Sequence, residues 1–235
     1  MSDVPADPFA EWKRGEVAVL GLGKSGRAAA ELLLRHGVRV YASDLGDAPG
    51  IAAAAQSLLA VARSLTAAAV DAHIGGHNLD RIRRAAALVV SPGIPPTASP
   101  IAMAREAGVL ITSEIEVALR AMARLKYIAV TGTNGKTTTT AMIGHLLRAL
   151  GHDAVDAGNI GTPLADIALR ETPPDWIALE MSSFQLHDTP SLAPAVGVMT
   201  NLSPDHLDRY ASAEEYYADK ALLFRNATTQ SRWVL

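Results

Sequence analysis

The residues best suited to do chemistry form a glycine turn in the middle of the chain, where Thr131 to Thr138 read TGTNGKTT. An apolar, strand-like run precedes the turn and a long helical stretch follows it, so backbone N–H groups of the turn can cradle phosphate oxygens. Lys136 supplies a positive charge for the outer phosphates, and the hydroxyl of Thr137 can ligate Mg²⁺. The turn is shorter than the pattern GxxxxGK[ST], because Val130 occupies the position of the first glycine. The expected phosphate-binding residues are Gly132, Thr133, Asn134, Gly135, Lys136, Thr137 and Thr138.

A second glycine turn, GLGKSG from Gly21 to Gly26, also follows a strand-like run and opens a helical stretch. It matches GxGxxG, in which glycines permit a tight turn and the helix N-terminus offers free N–H groups to a diphosphate. Asp44 ends the next strand, where a carboxylate can bind a ribose. Ser91 and Gly93 belong to a Pro-Gly turn expected at the same sheet edge. These residues alone are compatible with NAD, with another nucleotide diphosphate, or with no ligand.

Polar residues also follow two later strands. Glu180 ends one of them, and a carboxylate at the carboxyl end of a parallel strand beside a phosphate loop is a natural ligand for a hard cation. The next strand leads into Asn201–Tyr210, a dense polar cluster in which His206 is a candidate metal or substrate ligand. Lys220 lies in the following helical stretch, and its pattern alone predicts a solvated lysine.

Strand-like and helix-like segments alternate along the whole chain. The predicted strands are Val17–Leu20, Val38–Tyr41, Leu88–Val90, Val109–Thr112, Tyr127–Val130, Trp176–Glu180 and Val196–Thr200. The predicted helical segments are Arg27–His36, Ile51–Ala69, Ile101–Ala107, Thr137–Leu150 and Ala213–Arg225. This alternation predicts an α/β protein with parallel sheets covered by helices. Because each glycine turn follows a strand and opens a helix, we expect two nucleotide-type domains, residues 1–124 and 125–235.

Composition excludes several classes of protein. The net charge is −3, so there is no basic field for nucleic acid or an anionic membrane. The chain has no cysteine, which excludes disulfides and thiolate chemistry. The N-terminus lacks the apolar core of a signal peptide, and no uncharged apolar run approaches the ~18 residues of a membrane span. We therefore expect a soluble cytoplasmic protein with no nucleic-acid or membrane partner.

The order of several segments along the chain resembles that in the Mur ligases, which share this core with folylpolyglutamate synthetase. These segments are GTNGKTTT, GNIG, LEMSSFQL, NLSPDHLDRY and a downstream lysine. The segments SSFQL and DHLDRY resemble the branch of the family that adds D-glutamate. The resemblance extends from about Val17 to the end of the chain. It implies a Rossmann-like first domain that binds a UDP-substrate, then a P-loop-type ATPase central domain. The last residues, Ser231 to Leu235, begin a strand, so we expect an incomplete central domain and a missing third domain.

The resemblance assigns roles to individual residues. Lys136 contacts the phosphates of ATP, and Thr137, Glu180 and Ser182 hold a first Mg²⁺. His206 and Lys220 hold a second Mg²⁺, with Lys220 carbamylated, because an ammonium would repel the metal whereas a carbamate is an anionic oxygen donor. The expected catalytic residues are Lys136, His206 and Lys220. The expected substrate-binding residues are Gly23, Lys24, Ser25, Gly26, Asp44, Ser91 and Gly93 for UDP and Asn159 for the muramoyl group.

One departure from the family concerns the UDP site. Members of the family can carry a hydroxyl and an arginine for the diphosphate directly after the aspartate, whereas this chain has Leu45 and Gly46. Lys24, in the glycine turn, is the nearby cation that could supply the missing charge.

The reaction implied by the resemblance is ATP-dependent addition of D-glutamate to UDP-N-acetylmuramoyl-L-alanine through an acyl phosphate, in peptidoglycan precursor synthesis. A monomer is expected for the full-length enzyme, and the 235-residue chain alone is expected to be inactive. The alternatives are another Mur-type or folylpolyglutamate-type ligase, an NAD-linked oxidoreductase, or a non-catalytic nucleotide-binding fragment. Folylpolyglutamate synthetase lacks the GxGxxG domain, and an oxidoreductase leaves the GTNGKTT loop unexplained.

Overall fold

The computed structural model describes residues 7–65, 69–206 and 209–235. The chain divides into two units, with the division between Ala121 and Met122. The boundary expected from the sequence, after Arg124, lies in the same turn, which connects the last helix of the first unit to the first strand of the second.

The first unit is a parallel sheet with helices between its strands. Its strands are β1 (Glu16–Leu20), β2 (Arg39–Asp44), β3 (Val70–Ile74), β4 (Ala87–Val90) and β5 (Leu110–Ser113). Its helices are α1 (Lys24–Arg35), α2 (Pro49–Ser64), α3 (Leu79–Arg83), α4 (Ser99–Glu106) and α5 (Glu114–Ala121). The strand order is β3-β2-β1-β4-β5, and every pairing is parallel. The order reverses at β1, so the carboxyl ends of β1 and β4 form the switch point where such sheets bind ligands.

The second unit repeats this architecture. Its strands are β6 (Lys126–Thr131), β7 (Ala154–Gly158), β8 (Trp176–Glu180), β9 (Val196–Met199) and β10 (Arg232–Val234). Its helices are α6 (Lys136–Ala149), α7 (Leu164–Ala168), α8 (Ser183–His187) and α9 (Ala213–Ala221). The parallel strands run in the order β10-β9-β6-β8-β7. Because β6 lies between β8 and β9, the segments that follow these three strands meet at one sheet edge.

Burial explains why the central strands have nearly continuous apolar sequences. In β1, Val17, Ala18, Val19 and Leu20 are all buried, since helices cover both faces of a parallel sheet. Within the described residues, no helix combines the length and the apolar character that a membrane crossing requires.

The α/β class predicted from the alternation is confirmed, and each predicted strand is present with shifts of at most three residues at either end. The prediction missed β3 and β7, because VDAHI and AVDAG carry charged residues that interrupt the apolar run. The segment over residues 51–69, predicted to form one or two helices, lies in a single helix, α2, up to Ser64, and part of its predicted end lies outside the described residues. The strand expected at the end of the chain is β10, which pairs with β9.

Candidate active site

The central glycine turn connects β6 to α6 and requires glycine at two positions. Gly132 has a φ of +145°, and a Cβ there would lie 2.0 Å from Oγ1 of Thr200. Gly135 has a φ of +78° and is the residue before the first turn of α6. Side chains disfavour this left-handed region, so glycine lets the chain turn sharply and expose the free N–H groups of the helix. Thr137 and Thr138 are exposed in this first helical turn.

Two lysines converge on one carbonyl oxygen of the turn. Nζ of Lys136 donates to the carbonyl oxygens of Gly132, at 3.0 Å, and Thr133, at 2.8 Å. Nζ of Lys220 donates to the same Gly132 oxygen at 2.8 Å. Lys220 is only 1% exposed, so the solvated lysine predicted from its pattern alone is wrong. Burial, together with the nearby charge of Lys136, lowers the pKa of Lys220 to about 8.

Hydrogen bonds to the segment after β9 hold the turn in place. The hydroxyl of Thr133 donates to the carbonyl of Ser203 at 2.9 Å and accepts from the Ser203 N–H at 3.0 Å. Asn201 accepts from the Asn134 N–H through Oδ1 and donates to the Asn134 carbonyl through Nδ2, each at 3.0 Å. The Thr133 side chain therefore faces the protein, and its backbone N–H also donates to the Asn201 carbonyl, at 3.0 Å. Sequence reasoning did not identify Asn201 as the residue that holds the turn.

Glu180 lies at the end of β8, next to the turn, and is 1% exposed. Its Oε1 accepts from Nδ2 of Asn159 at 2.9 Å, and its carbonyl accepts from the Asn159 N–H at 3.0 Å. Its Oε2 has no hydrogen-bond partner among the described residues. A buried carboxylate oxygen without a partner is costly unless a cation or donor reaches it, so Glu180 fits the role of a ligand for a hard cation.

Ser182 begins α8 and forms a capping box with Gln185. Its Oγ accepts from the Gln185 N–H at 3.3 Å and donates to the Gln185 side-chain oxygen at 3.1 Å. The same Gln185 oxygen accepts from the Ser182 N–H at 3.0 Å. This local function explains the spacing of serine and glutamine in SSFQL. The hydroxyl of Ser182 must give up its bond to Gln185 if it is to donate elsewhere, but it retains a lone pair for a cation.

His206 lies in the polar segment after β9, just before residues 207–208, which are outside the described residues. Its φ of +53° is unusual for a non-glycine residue. The imidazole packs edge-on against Phe184, with centroids 5.6 Å apart, and against Tyr216 at 5.9 Å. Phe184 also stacks on Tyr210 at 5.4 Å. Contacts with these aromatic rings restrict the position of the imidazole, although the His206 side chain is nearly half exposed.

Asp219, the neighbour of Lys220 in α9, connects this helix to two other segments. Its carboxylate accepts from the hydroxyl of Tyr210 at 2.8 Å and pairs with Nδ1 of His187 at 2.8 Å. The hydrogen bond to Asp219 raises the pKa of His187, and burial raises the pKa of the Tyr210 hydroxyl. These contacts fix α9, so they set the position from which Lys220 reaches the turn.

The predicted metal ligands do not form a ready-made cluster. The described residues contain no group of three or more His, Asp or Glu side chains arranged to hold a metal ion. Glu180 fits a cation through its unpartnered oxygen, and exposed Thr137 can add a hydroxyl. Lys220, as an ammonium, does not fit a metal and would have to become an anion first.

In the first unit, the GxGxxG turn follows β1 and lies at the switch point between β1 and β4. Ser91 follows β4 and donates through Oγ to the Gly21 carbonyl at 3.3 Å, so the two turns expected at one edge are in contact. Gly26 is buried in the first turn of α1, and a Cβ there would lie 1.8 Å from the Gly21 carbonyl oxygen. Gly23, Lys24 and Gly93 are exposed, and Ser25 is partly exposed.

Asp44 holds the glycine turn from the neighbouring strand. Its Oδ2 accepts from the Leu22 N–H at 2.7 Å, and its Oδ1 accepts from the Gly46 N–H at 2.8 Å. Both carboxylate oxygens are therefore engaged by the backbone, which gives Asp44 a structural role in addition to any contact with a ligand. Leu45, where the family can carry a hydroxyl, is 74% exposed.

We expect Gly26→Ala to destabilise the first unit by about 1–3 kcal/mol, because the new methyl group would overlap the Gly21 carbonyl. Gly50→Ala is the matched control: Gly50 also lies in the first turn of a helix, α2, but nothing lies within 4 Å of its Cβ position. Denaturant unfolding should show a lower midpoint for Gly26→Ala only. Equal midpoints for the two variants would contradict the close packing at Gly26.

Each unit has the doubly wound α/β fold with a glycine turn at the sheet edge where such folds bind ligands, an arrangement typical of nucleotide-binding proteins of the α/β class. The Mur ligase MurD-like N-terminal domain model matches residues 15–113, and the Mur ligase middle domain model matches residues 130–235. The chain belongs to the Mur ligase family.

Curated relatives agree with this family, and one solved structure shares the fold. A UDP-N-acetylmuramoylalanine–D-glutamate ligase from Frankia casuarinae is 43% identical over 93% of this chain and 45% of its own length. The ligase of the same name from Trichormus variabilis is 42% identical over 90% of this chain and 45% of its own. The chain thus spans about half the length of these curated relatives. The fold matches UDP-N-acetylmuramate:L-alanyl-gamma-D-glutamyl-meso-diaminopimelate ligase from Neisseria meningitides, with a TM-score of 0.57 and 15% identity over 93% of this chain and 70% of that one.

Proposed function

We propose that this chain belongs to an enzyme that uses ATP to join D-glutamate to UDP-N-acetylmuramoyl-L-alanine. The observation that carries the proposal is the pairing, in the second unit, of a lysine-containing phosphate turn with Glu180, a buried carboxylate whose Oε2 lacks a partner among the described residues. The names of the curated relatives support the choice of substrates. The first unit would bind the UDP-substrate, and the second unit would bind ATP.

The chemistry proposed is acyl-phosphate ligation. A carboxylate oxygen of the substrate attacks the γ-phosphorus of ATP, the bond from that phosphorus to the bridging oxygen breaks, and ADP leaves. The amine of D-glutamate then attacks the acyl carbon, phosphate leaves with the carbon–oxygen bond pair, and the amine loses a proton to solvent. Lys136 and the N–H groups at the N-terminus of α6 neutralise charge on the transferred phosphoryl oxygens, and this fixed charge lowers the barrier.

The residues proposed to hold Mg²⁺ are Thr137, Glu180, Ser182, His206 and Lys220. When bound, Mg²⁺ would supply positive charge to the phosphate oxygens. Glu180 is held for this role by Asn159, which donates to its Oε1. Asn159 can also reach the muramoyl part of the substrate, because it follows β7 at the same sheet edge. Lys220 would take part as a carbamate, formed when its neutral amine attacks CO₂ and releases a proton.

The first unit is expected to bind the UDP-substrate and not NAD. The chain carries a phosphate turn in the second unit that an oxidoreductase would not need. The exposed Lys24 is proposed to supply positive charge to the diphosphate at the N-terminus of α1.

Parallel calorimetric titrations test this assignment. UDP-N-acetylmuramoyl-L-alanine should bind the 235-residue chain, NAD should not, and Lys24→Ala should weaken binding about two- to fivefold. Lys13→Ala provides a control, since this lysine pairs with Asp7 outside the proposed site. Tight NAD binding without a response to the UDP compound would overturn the proposal.

A further inference from the structure

The second unit contains two buried side-chain oxygens without hydrogen-bond partners among the described residues. One is Oε2 of Glu180, and the other is Oγ1 of Thr140, a residue that is fully buried in α6. Buried polar atoms are nearly always paired in proteins, so an unpaired atom calls for a ligand, a donor or an altered rotamer. Thr140 is not among the residues to which the sequence assigned a function.

Sheet register shows that Glu180 points from the sheet toward α6, the helix that carries Thr140. A Cβ on Gly144 of α6 would meet the carboxylate of Asp156 at 1.6 Å, so Asp156 points from β7 toward α6. Gly158 lies two residues further along the same face of β7, and it is the register partner of Glu180 on β8. Neighbouring residues in parallel register share a face, so the side chain of Glu180 also points toward α6.

The distance along α6 from Gly144 to Thr140 matches the distance along β7 from Asp156 to Gly158. Helix α6 begins at the carboxyl edge of the sheet and runs back across it, so Thr140 lies one turn closer to that edge than Gly144. Four helical residues advance about 6 Å. Two strand residues, from Asp156 to Gly158, advance about 6.6 Å. This spacing places Thr140 of α6 at the level of Gly158 and Glu180, over the face of the sheet toward which Glu180 points.

We propose that Thr140 is a positioning residue for the cation ligand Glu180. In the cation-bound state the Thr140 hydroxyl donates to Oε2 of Glu180, as Nδ2 of Asn159 donates to Oε1. Threonine in a helix has two accessible χ1 rotamers, so a rotation suffices to aim the hydroxyl. With a donor on each oxygen, the carboxylate is fixed and its remaining lone pairs are directed at the cation. This inference rests on the proposed function, because it assumes that Glu180 binds Mg²⁺.

Calorimetry of ADP binding to the full 235-residue chain, with and without Mg²⁺, tests the proposal. In Thr140→Val, the factor by which Mg²⁺ strengthens ADP binding should fall about 10-fold, as is typical when a residue supporting a metal ligand is lost. ADP affinity without metal should not change. Thr140→Ser keeps the hydroxyl and should restore the Mg²⁺ effect. Thr140→Ala should behave like Thr140→Val, which gives a second variant if valine disturbs packing.

Thr139→Val is the matched control, since Thr139 precedes Thr140 in α6 and has no role in the proposed site. It should retain the full Mg²⁺ effect. The inference is overturned if Thr140→Val and Thr140→Ala keep that effect, or if they weaken metal-free ADP binding equally, which would indicate a purely structural role. If the unmodified chain shows no Mg²⁺ effect at all, the proposed metal site fails and Thr140 has nothing to position. The unmodified chain therefore tests the proposed function, and the variants test the inference.

Discussion

Lys136→Ala should lower the affinity of the chain for ATP about 10- to 100-fold, the range expected for the loss of hydrogen bonds from a charged group. Among the described residues, Nζ of Lys136 donates to two carbonyls of its own turn, those of Gly132 and Thr133, and to no others. Incoming phosphates would offer the ammonium a stronger, anionic acceptor at the same place. Because the side chain fills no core position, its removal should leave the folded state intact. Calorimetric titration with ATP and Mg²⁺ measures the effect.

Lys126→Ala is the control for this variant. Lys126 lies at the opposite end of β6, over the ring of Trp176 at 5.9 Å, and it is exposed. Its loss should not change ATP affinity. Thermal unfolding should be similar for Lys136→Ala, Lys126→Ala and the parent chain. Parent-like ATP binding by Lys136→Ala would show that the turn does not bind phosphates through this lysine.

Lys220→Met should eliminate a carbamate that the parent chain forms when CO₂ and Mg²⁺ are supplied. The amine is buried against the Gly132 carbonyl at 2.8 Å, and its pKa is lowered to about 8. An ordinary lysine, with a pKa near 10.4, has roughly 0.1% of its amine free at pH 7.5, whereas a pKa of about 8 leaves about a quarter free. Only the free amine attacks CO₂, so carbamate should increase as the pH rises through about 8.

Carbon-13 NMR of protein equilibrated with labelled bicarbonate detects the carbamate directly. One carbamate signal should appear in the parent chain and disappear in Lys220→Met. Lys126→Met, at an exposed lysine, should retain it. A signal that persists in Lys220→Met would assign the carbamate to another amine, and no signal in the parent chain at alkaline pH would remove Lys220 from the proposed metal ligands.

Most of the architecture could be predicted from the sequence because its signals are local. Apolar runs such as Val17–Leu20 mark strands buried on both faces, and the two glycine turns mark the strand-to-helix junctions where ligands bind. The missed strands β3 and β7 lie at sheet edges, where one side is open and charged residues are tolerated. Their existence depends on pairing with β2 and β8, which no local pattern encodes.

Within the candidate site, the sequence identified residues of the right chemical type but not the residues that they contact. TGTNGKTT predicted a phosphate turn because its glycines shape the backbone next to them and its lysine supplies charge within the same short segment. The inward orientation of Thr133, the capping role of Ser182 and the burial of Lys220 depend on contacts with residues elsewhere in the unit. Lys220 is the clearest case: its helix has a polar sequence, and only packing against the turn shows that its ammonium is buried.

The sequence by itself therefore determined the α/β class, the two glycine turns and the resemblance to Mur ligases, since short-range patterns of apolar and glycine residues specify them. The tertiary structure alone decided that Lys136 and Lys220 share the Gly132 carbonyl and that Oε2 of Glu180 is buried without a partner among the described residues. It also left the buried hydroxyl of Thr140 without a partner among the described residues. These facts depend on sheet order and register, which bring residues far apart in the chain to one edge, and such long-range pairing cannot be inferred from neighbouring residues.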